Sequence, residues 1–336
     1  MAASNIRQPT IVACLNGSKI SSVIEAQVER NSFLAADRFS LSAVFSTFNE
    51  DLIDAPPIRA ELTFIMDGAP SETFVGIVDS FAIDPIKDEV YCLGRDQSSL
   101  FIATPVAQTF QNQTSSDIAA SFAASKGLVG AIEPTSTPVG RYFQNGRTTS
   151  ALLQNSRNYT EWDLLTWLAE IEGFEVWVEG DTLCFQSSRS SGNTLSVVLS
   201  DCLALRVENR LNLAVGAEVT VRSWDTSLQS SIQQSATSAA SGSQPLVINL
   251  IRPNLTTADA ATLATATLAR LMTHQTTVSI DMPGDIVTAP GDTVLLQGIS
   301  ALADGTYAVT EVAKHISVGR GFVQSIEARP FPWTAS

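Results

Sequence analysis

The side chains able to do chemistry are few and dispersed. Two histidines, His274 and His315, occur in 336 residues, and neither lies in a G-x-S-x-G, H-E-x-x-H or P-loop pattern. One histidine without a paired nucleophile or ligand makes no catalytic site, so His315 is read as a structural hydrogen-bonding residue. Glu170 and Glu172 flank the end of a Trp-rich helix. A glycosidase needs two carboxyls roughly 5 to 9.5 Å apart across a cleft, whereas residues two apart on a helix point to different sides. Asp281, Asp285 and Asp292 in DMPGDIVTAPGD suggest calcium, but their spacing is not that of an EF-hand loop, and Asp beside Gly or Pro forms turns. Trp162 and Trp167, five apart on an otherwise apolar helix, read as core rather than as a sugar platform. Cys14, Cys92, Cys184 and Cys202 have no C-x-x-C spacing and read as free, buried thiols, the alternative being disulfides formed only if the protein meets an oxidising environment after synthesis. The expectation is no catalytic residue, no metal site and no cofactor.

The elements that carry these residues are mostly strands. Asp37 to Phe45 alternates, with Phe39, Leu41, Ala43 and Phe45 on one face. Pro56-Pro57 separates it from Ile58 to Met66, and strands at Thr73 to Ile83 and Val90 to Gly94 follow. This spacing reads as a sandwich or barrel whose edges must be closed, covered or paired. Two helices come next. Ser116 is the expected cap of one with Ile118, Ala119, Phe122 and Ala123 on its apolar stripe, ending at Gly127. Thr160 caps the other, with Asp163 at N3 and a stop at Gly173; Trp162, Leu164, Leu165, Trp167, Leu168 and Ile171 make it apolar almost all round, which predicts burial on several sides. A hairpin over Phe174 to Val178 and Thr182 to Gln186 turns at Glu179-Gly180-Asp181. Strands resume at Leu203 to Asn209 and Ala217 to Ser223. The stretch SLQSSIQQSATSAASGSQ is then expected to be a mobile loop, because it holds few bulky apolar residues. A short strand at Leu246 to Leu250 and a helix over Thr257 to Thr273 precede the final strands.

Composition narrows the function classes. The formal net charge is −14, with the 20 Lys and Arg scattered singly, so an electrostatic grip on nucleic acid is not expected. Charged residues make up 16% of the chain, below the roughly 25% usual for soluble domains. Much of the surface is therefore small, neutral and suited to being covered. No run approaches the ~20 apolar residues needed to span a bilayer, and the N-terminus reads as no secretory signal.

The two ends of the chain overlay. With a shift of 233 (290 − 57), Leu62 falls on Leu295, Thr73 on Thr306, Phe74 on Tyr307, Ile83 on Ile316 and Val90 on Val323, without a gap. The fold class expected is β-dominated α+β: two related tube-type β-barrels, an inserted α+β middle region and a second helix-containing insertion. The boundaries are a first barrel over 1–105, the middle domain over 106–200, a second barrel over 201–225 and 276–330, and an insertion over 226–275.

In order and spacing, DRFSLSAVF, ETFVGIVDSFAID, DEVYCLGRDQSSLF, SSDIAASFAASKGL and TEWDLLTWLAEIEGFEVWVEGDTLCF resemble the late control D family of baseplate hub proteins in contractile-tailed phages. APGDTVLLQGI, DGTYAVTEVAKHIS and GFVQSIEA resemble the closing barrel of that family. The resemblance runs from about residue 30 to 329. It implies a non-enzymatic homotrimeric hub in the virion tail baseplate, assembled in the host cytoplasm. Six barrels would make a pseudo-sixfold ring between the hexameric tail tube protein and the trimeric central spike protein. Tape-measure protein and baseplate wedge proteins are further partners on this reading, with no membrane and with DNA only in transit. The channel is expected to carry net negative charge so that a passing polyanion is not held. Because the chain ends at Ser336, three residues after Trp333, the spike is expected on a separate polypeptide. The alternatives are a cell-wall-degrading or carbohydrate-binding tail protein, and a tail tube or tube-terminator subunit with one barrel per chain.

Overall fold

The computed structural model describes residues 9–331 apart from 33, 54–55, 68, 107–109, 111–112, 137, 140–159, 188, 190–191, 226–229, 240–243, 253–254 and 285–287. The N-terminal strands are β1 (Pro9–Leu15), β2 (Ser18–Lys19), β3 (Val23–Asn31), β4 (Arg38–Val44), β5 (Arg59–Met66), β6 (Ala69–Asp84) and β7 (Glu89–Asp96). They pair in the order β3-β4-β7-β6-β5-β1-β2. Alternation places Phe39 and Leu41 of β4, Leu62 and Phe64 of β5, Phe74 of β6, and Val90 and Cys92 of β7 in one core. That core also takes Ala13 and Leu15 from β1 and Ala26 and Val28 from β3. First and last strands share one core, so the sheet curls around it.

The middle of the chain supplies α1 (Ser99–Ile102), β8 (Gln113–Thr114), α2 (Ser115–Ser125), β9 (Val129–Ile132), β10 (Pro138–Val139), α3 (Glu161–Glu172), β11 (Glu175–Glu179) and β12 (Thr182–Gln186). β12 pairs antiparallel with β11 and parallel with β9, and α2 and α3 cover this small sheet. The cap of α2 is Thr114, not Ser116: Thr114 and Asp117 form a reciprocal capping box earlier in the chain. Ser116 instead exchanges hydrogen bonds with Thr135. On α3 the Thr160–Asp163 capping box and the left-handed Gly173 stop stand as expected. Its burial is less complete than the apolar pattern implied, since Ile171 is 52% exposed.

The remaining elements are β13 (Thr194–Val197), β14 (Ala204–Asn209), α4 (Leu211–Ala214), β15 (Ala217–Asp225), β16 (Ser230–Thr237), β17 (Leu246–Ile251), α5 (Thr257–Met272), β18 (Thr276–Pro283), β19 (Thr293–Leu296), β20 (Gly305–Ser317) and β21 (Gly321–Arg329). β14, β18, β21, β20, β19 and β13 enclose a second core around Val278, Ile280, Val294, Val309 and Ile326. β20 also pairs with β3, so the described strands of both halves form one sheet of 13 strands. β15 leaves that sheet and lies between β16 and β17, with α5 packed on it through Ala260, Ala264 and Leu268.

Part of the Ser/Gln-rich stretch expected to be a loop is therefore a strand. β16 pairs with β15 along its whole length. Ile232 and Ala236 pack toward α5, while Thr220 and Ser235 hydroxyls meet at 2.9 Å on the other face. Main-chain hydrogen bonding to an already ordered neighbour supplies what the side chains lack. Residues 227–229 and 240–243 of that stretch lie outside the described residues.

The overlay of the chain ends holds strand by strand, but not without a gap. Phe74 pairs with Leu62, and Tyr307 pairs with Val294; Ile83 pairs with Val90, and Ile316 with Phe322. The counterparts of Leu62 and Val90 are thus Val294 and Phe322, one residue short of the expected Leu295 and Val323. A slip of one residue reverses the face of a strand side chain. The corrected register keeps Leu62 and Val294 both fully buried. Both long strands are bulged on the side of the following strand, between Val78 and Ser80 in β6 and between Val309 and Glu311 in β20, and β6 has a further register shift against β5 at Phe64/Ile65.

Candidate assembly interface

The residues with possible chemistry do not converge. His315 on β20 places Nε2 2.5 Å from Glu25 Oε1 on β3, so it bonds across the joint between the two halves. His274 lies 2.7 Å through Nδ1 from Arg329, and partial burial together with Arg329, Arg210 and Arg270 holds it below the usual histidine range. Glu170 pairs with Arg270 at 2.9 Å, while Glu172 accepts a 2.6 Å bond from Ser115. Asp281 accepts from Ser325 at 2.6 Å, and Asp292 accepts from the Ala289 amide at 2.9 Å. Asp285 lies outside the described residues. Among the described residues no group of three or more His, Cys, Asp or Glu is arranged to hold a metal. Trp162 is core, with its indole N–H donating to the Leu34 carbonyl at 3.0 Å, and Trp167 lies partly buried against the same cluster. The four cysteines are free; Cys92 and Cys184 are buried, and Cys14 and Cys202 are half-buried.

The concentrated charge lies instead where the two halves meet. Arg30 on β3 pairs with Glu72 on β6 at 3.0 Å, and the Lys314 ammonium on β20 takes the other oxygen of the same carboxylate. Lys314 is buried, and Arg30 also stacks on the Phe74 ring with its guanidinium carbon 5.8 Å from the centroid. Burying three charges is tolerated only because each finds a partner. The sequence offered a signal for this network: Lys314 alternates with Val312 and Ile316 and so had to face inward. Nearby, Asp37 accepts from the Asn31 amide at 2.9 Å, and Asp96 accepts from the Ser98 amide at 3.0 Å and from its hydroxyl. Burial raises both carboxyls, Asp37 to about 6 and Asp96 to about 7.

The middle region is fastened to the first half by polar contacts. Arg59 Nη1 lies 2.6 Å from Asp181 in the β11–β12 turn, and Gln97 donates to the Gly180 carbonyl at 2.7 Å. Asp181 is held below the usual carboxylate range, chiefly by its bonds from Arg59.

Uncovered apolar side chains mark the outer edges. Phe81 and Ile83 on β6 are 46% and 36% exposed, Leu203 just before β14 is 64% exposed, and Val247 and Ile251 on β17 are also exposed. Single exposed apolar residues are ordinary, whereas groups along strand edges suit pairing with another chain.

No family model matches the chain, and no curated protein matches it. Solved structures do. A tail protein from Neisseria meningitidis MC58 superposes with a TM-score of 0.73 at 16% identity, covering 96% of each chain. A 43 kDa tail protein of prophage MuSo2 from Shewanella oneidensis gives 0.72 at 15%, covering 96% of this chain and 98% of its own. An Escherichia coli component of the type VI secretion system, described as structurally similar to the T4 phage tail proteins gp27 and gp5, gives 0.61 at 13%, covering 96% and 79%. Over nearly its whole length, this chain has the fold of phage tail and type VI secretion tail-like proteins.

Proposed function

We propose that this chain is a structural subunit of a phage tail baseplate, a non-enzymatic hub that works by assembly. The observation that carries the reading is the internal pairing of two related strand units, β5-β6-β7 and β19-β20-β21, each around its own core, within a fold shared with tail proteins. Two such units per chain allow three chains to present six similar units to a hexameric tube and three identical faces to a central spike. The two halves, of seven and six strands, are the tube-like barrels of this proposal; the middle region and the β15–β17 sheet with α5 are insertions available to neighbouring baseplate proteins. The ring would enclose the channel for tape-measure protein and DNA, with a lumen of net negative charge.

Native mass measurement on the purified chain tests this reading. A homotrimer is expected, together with no muralytic activity on peptidoglycan. A monomer or hexamer at every concentration, or lysis of cell walls, overturns it.

A further inference from the structure

The β3–β20 joint ties the two related halves together, and among the described residues each half leaves unpaired the edge that its relative uses there. On β20, β19 occupies one side along Gly305–Ala308 and β3 continues that side along Glu311–Ser317, while β21 fills the opposite side. On the related β6, β5 occupies the first side along Ala69–Ile77 and β7 fills the opposite side along Gly76–Asp84. Among the described residues no strand pairs with Ser80–Asp84 where β3 lies on β20. The relative of β3 is β14: it pairs with β18 as β3 pairs with β4, and β18 pairs with β21 as β4 pairs with β7. β14 ends the sheet, and its second edge has no strand partner among the described residues.

We propose that a second copy of this chain closes both edges: β14 of one subunit pairs antiparallel with Ser80–Asp84 of β6 in the next. The contact repeats between chains the β3–β20 joint within the chain, and it rests on the self-assembly reading above. The internal joint also sets the register. Ala26 lies opposite Ile316 and Val28 opposite Lys314. Ile83 and Phe81 stand at the places of Ile316 and Lys314. Val28 faces Phe39, which faces Gly94; Leu205 faces Ile280, which faces Ile326, the relative of Gly94 in the corrected register. Leu205 therefore stands for Val28, and Leu203 for Ala26. Ile83 then meets Leu203, Phe81 meets Leu205, and Ser80 meets Arg206.

Burial supports this pairing independently of the topology. In the filled joint Ile316 is 7% exposed and belongs to the core of the first half, whereas its relative Ile83 is 36% exposed and Leu203 is 64% exposed. Joining the open edges places two apolar pairs in one ladder and satisfies main-chain groups on both sides. The contact is head-to-tail, so it yields a ring when the rotation closes.

Paired cysteines test the register. Ser80→Cys and Arg206→Cys chains, mixed and mildly oxidised, are expected to give covalent dimers, and a chain carrying both substitutions is expected to give covalent closed trimers. Either single variant alone should stay uncrosslinked through the introduced thiol. Phe81→Arg, checked for unchanged secondary structure by circular dichroism, is expected to convert the native trimer to monomer. A trimer that forms no disulfide between the two introduced thiols and survives Phe81→Arg overturns the edge assignment and leaves the hub reading standing. A chain that is monomeric at every concentration overturns both.

Discussion

At Gly94, β7 passes so close to its neighbours that an added Cβ would fall 2.2 Å from the Ile77 carbonyl oxygen and 2.4 Å from Phe39 Cε1. Backbone cannot retreat as a side-chain tip can, so Gly94→Ala is expected to lower unfolding stability by about 1–3 kcal/mol, read by chemical denaturation. The Asp37 and Asp96 carboxyls give a second outcome at this scale. Their folded-state values, about 6 and about 7, lie above the ordinary 3.8, so the folded chain binds more protons than the unfolded one in between. Their stabilising contribution is complete below about pH 4 and is lost as pH rises through 6 to 7. Thermal melts across that window should show wild type losing stability relative to Asp96→Asn as pH increases; parallel profiles for the two proteins would contradict this assignment.

Among the elements, α3 buries five apolar side chains, Trp162, Leu164, Leu165, Leu168 and Ala169. Leu165 and Leu168 are fully buried, and Trp162 is 6% exposed. Truncation of Trp162 or Leu165 to alanine is expected to cost about 2 to 5 kcal/mol through the cavity it leaves. A Trp162→Ala chain of ordinary stability would place this helix at the surface. Thr160→Ala removes half of a reciprocal cap, and a smaller loss of about 1 kcal/mol is expected in the same denaturation series.

For the whole molecule, Glu72 decides how the two halves are tied, because Arg30 of one and Lys314 of the other share its carboxylate. Glu72→Gln removes the carboxylate that both cations share in a largely dry joint, while Arg30 keeps its longer 3.4 Å pair with Glu179. A loss of about 3 to 5 kcal/mol is expected, exceeding that of any exposed pair such as Arg206–Glu208. Equal losses for Glu72→Gln and Glu208→Gln would show the joint to be solvated. The same joint is the template for the proposed contact between subunits, so its energetics bear on assembly as well as on folding.

Local pattern was enough to determine strand-rich architecture, the α3 caps and stop, and the correspondence between the chain ends, because alternation, capping boxes and glycine stops act over a few residues. The tail-protein reading was legible in motif order, and the solved structures support the fold it implied. Tertiary structure alone decided register. Bulges in β6 and β20 absorb residues against their neighbours, and only the ladders show that Val294, not Leu295, takes the place of Leu62. It also decided that β16 is ordered, since a polar strand gains its order from the neighbour it pairs with rather than from its own composition. The sharing of one carboxylate by Arg30 and Lys314, 284 residues apart (314 − 30), depends on a strand crossing between halves that no local pattern encodes.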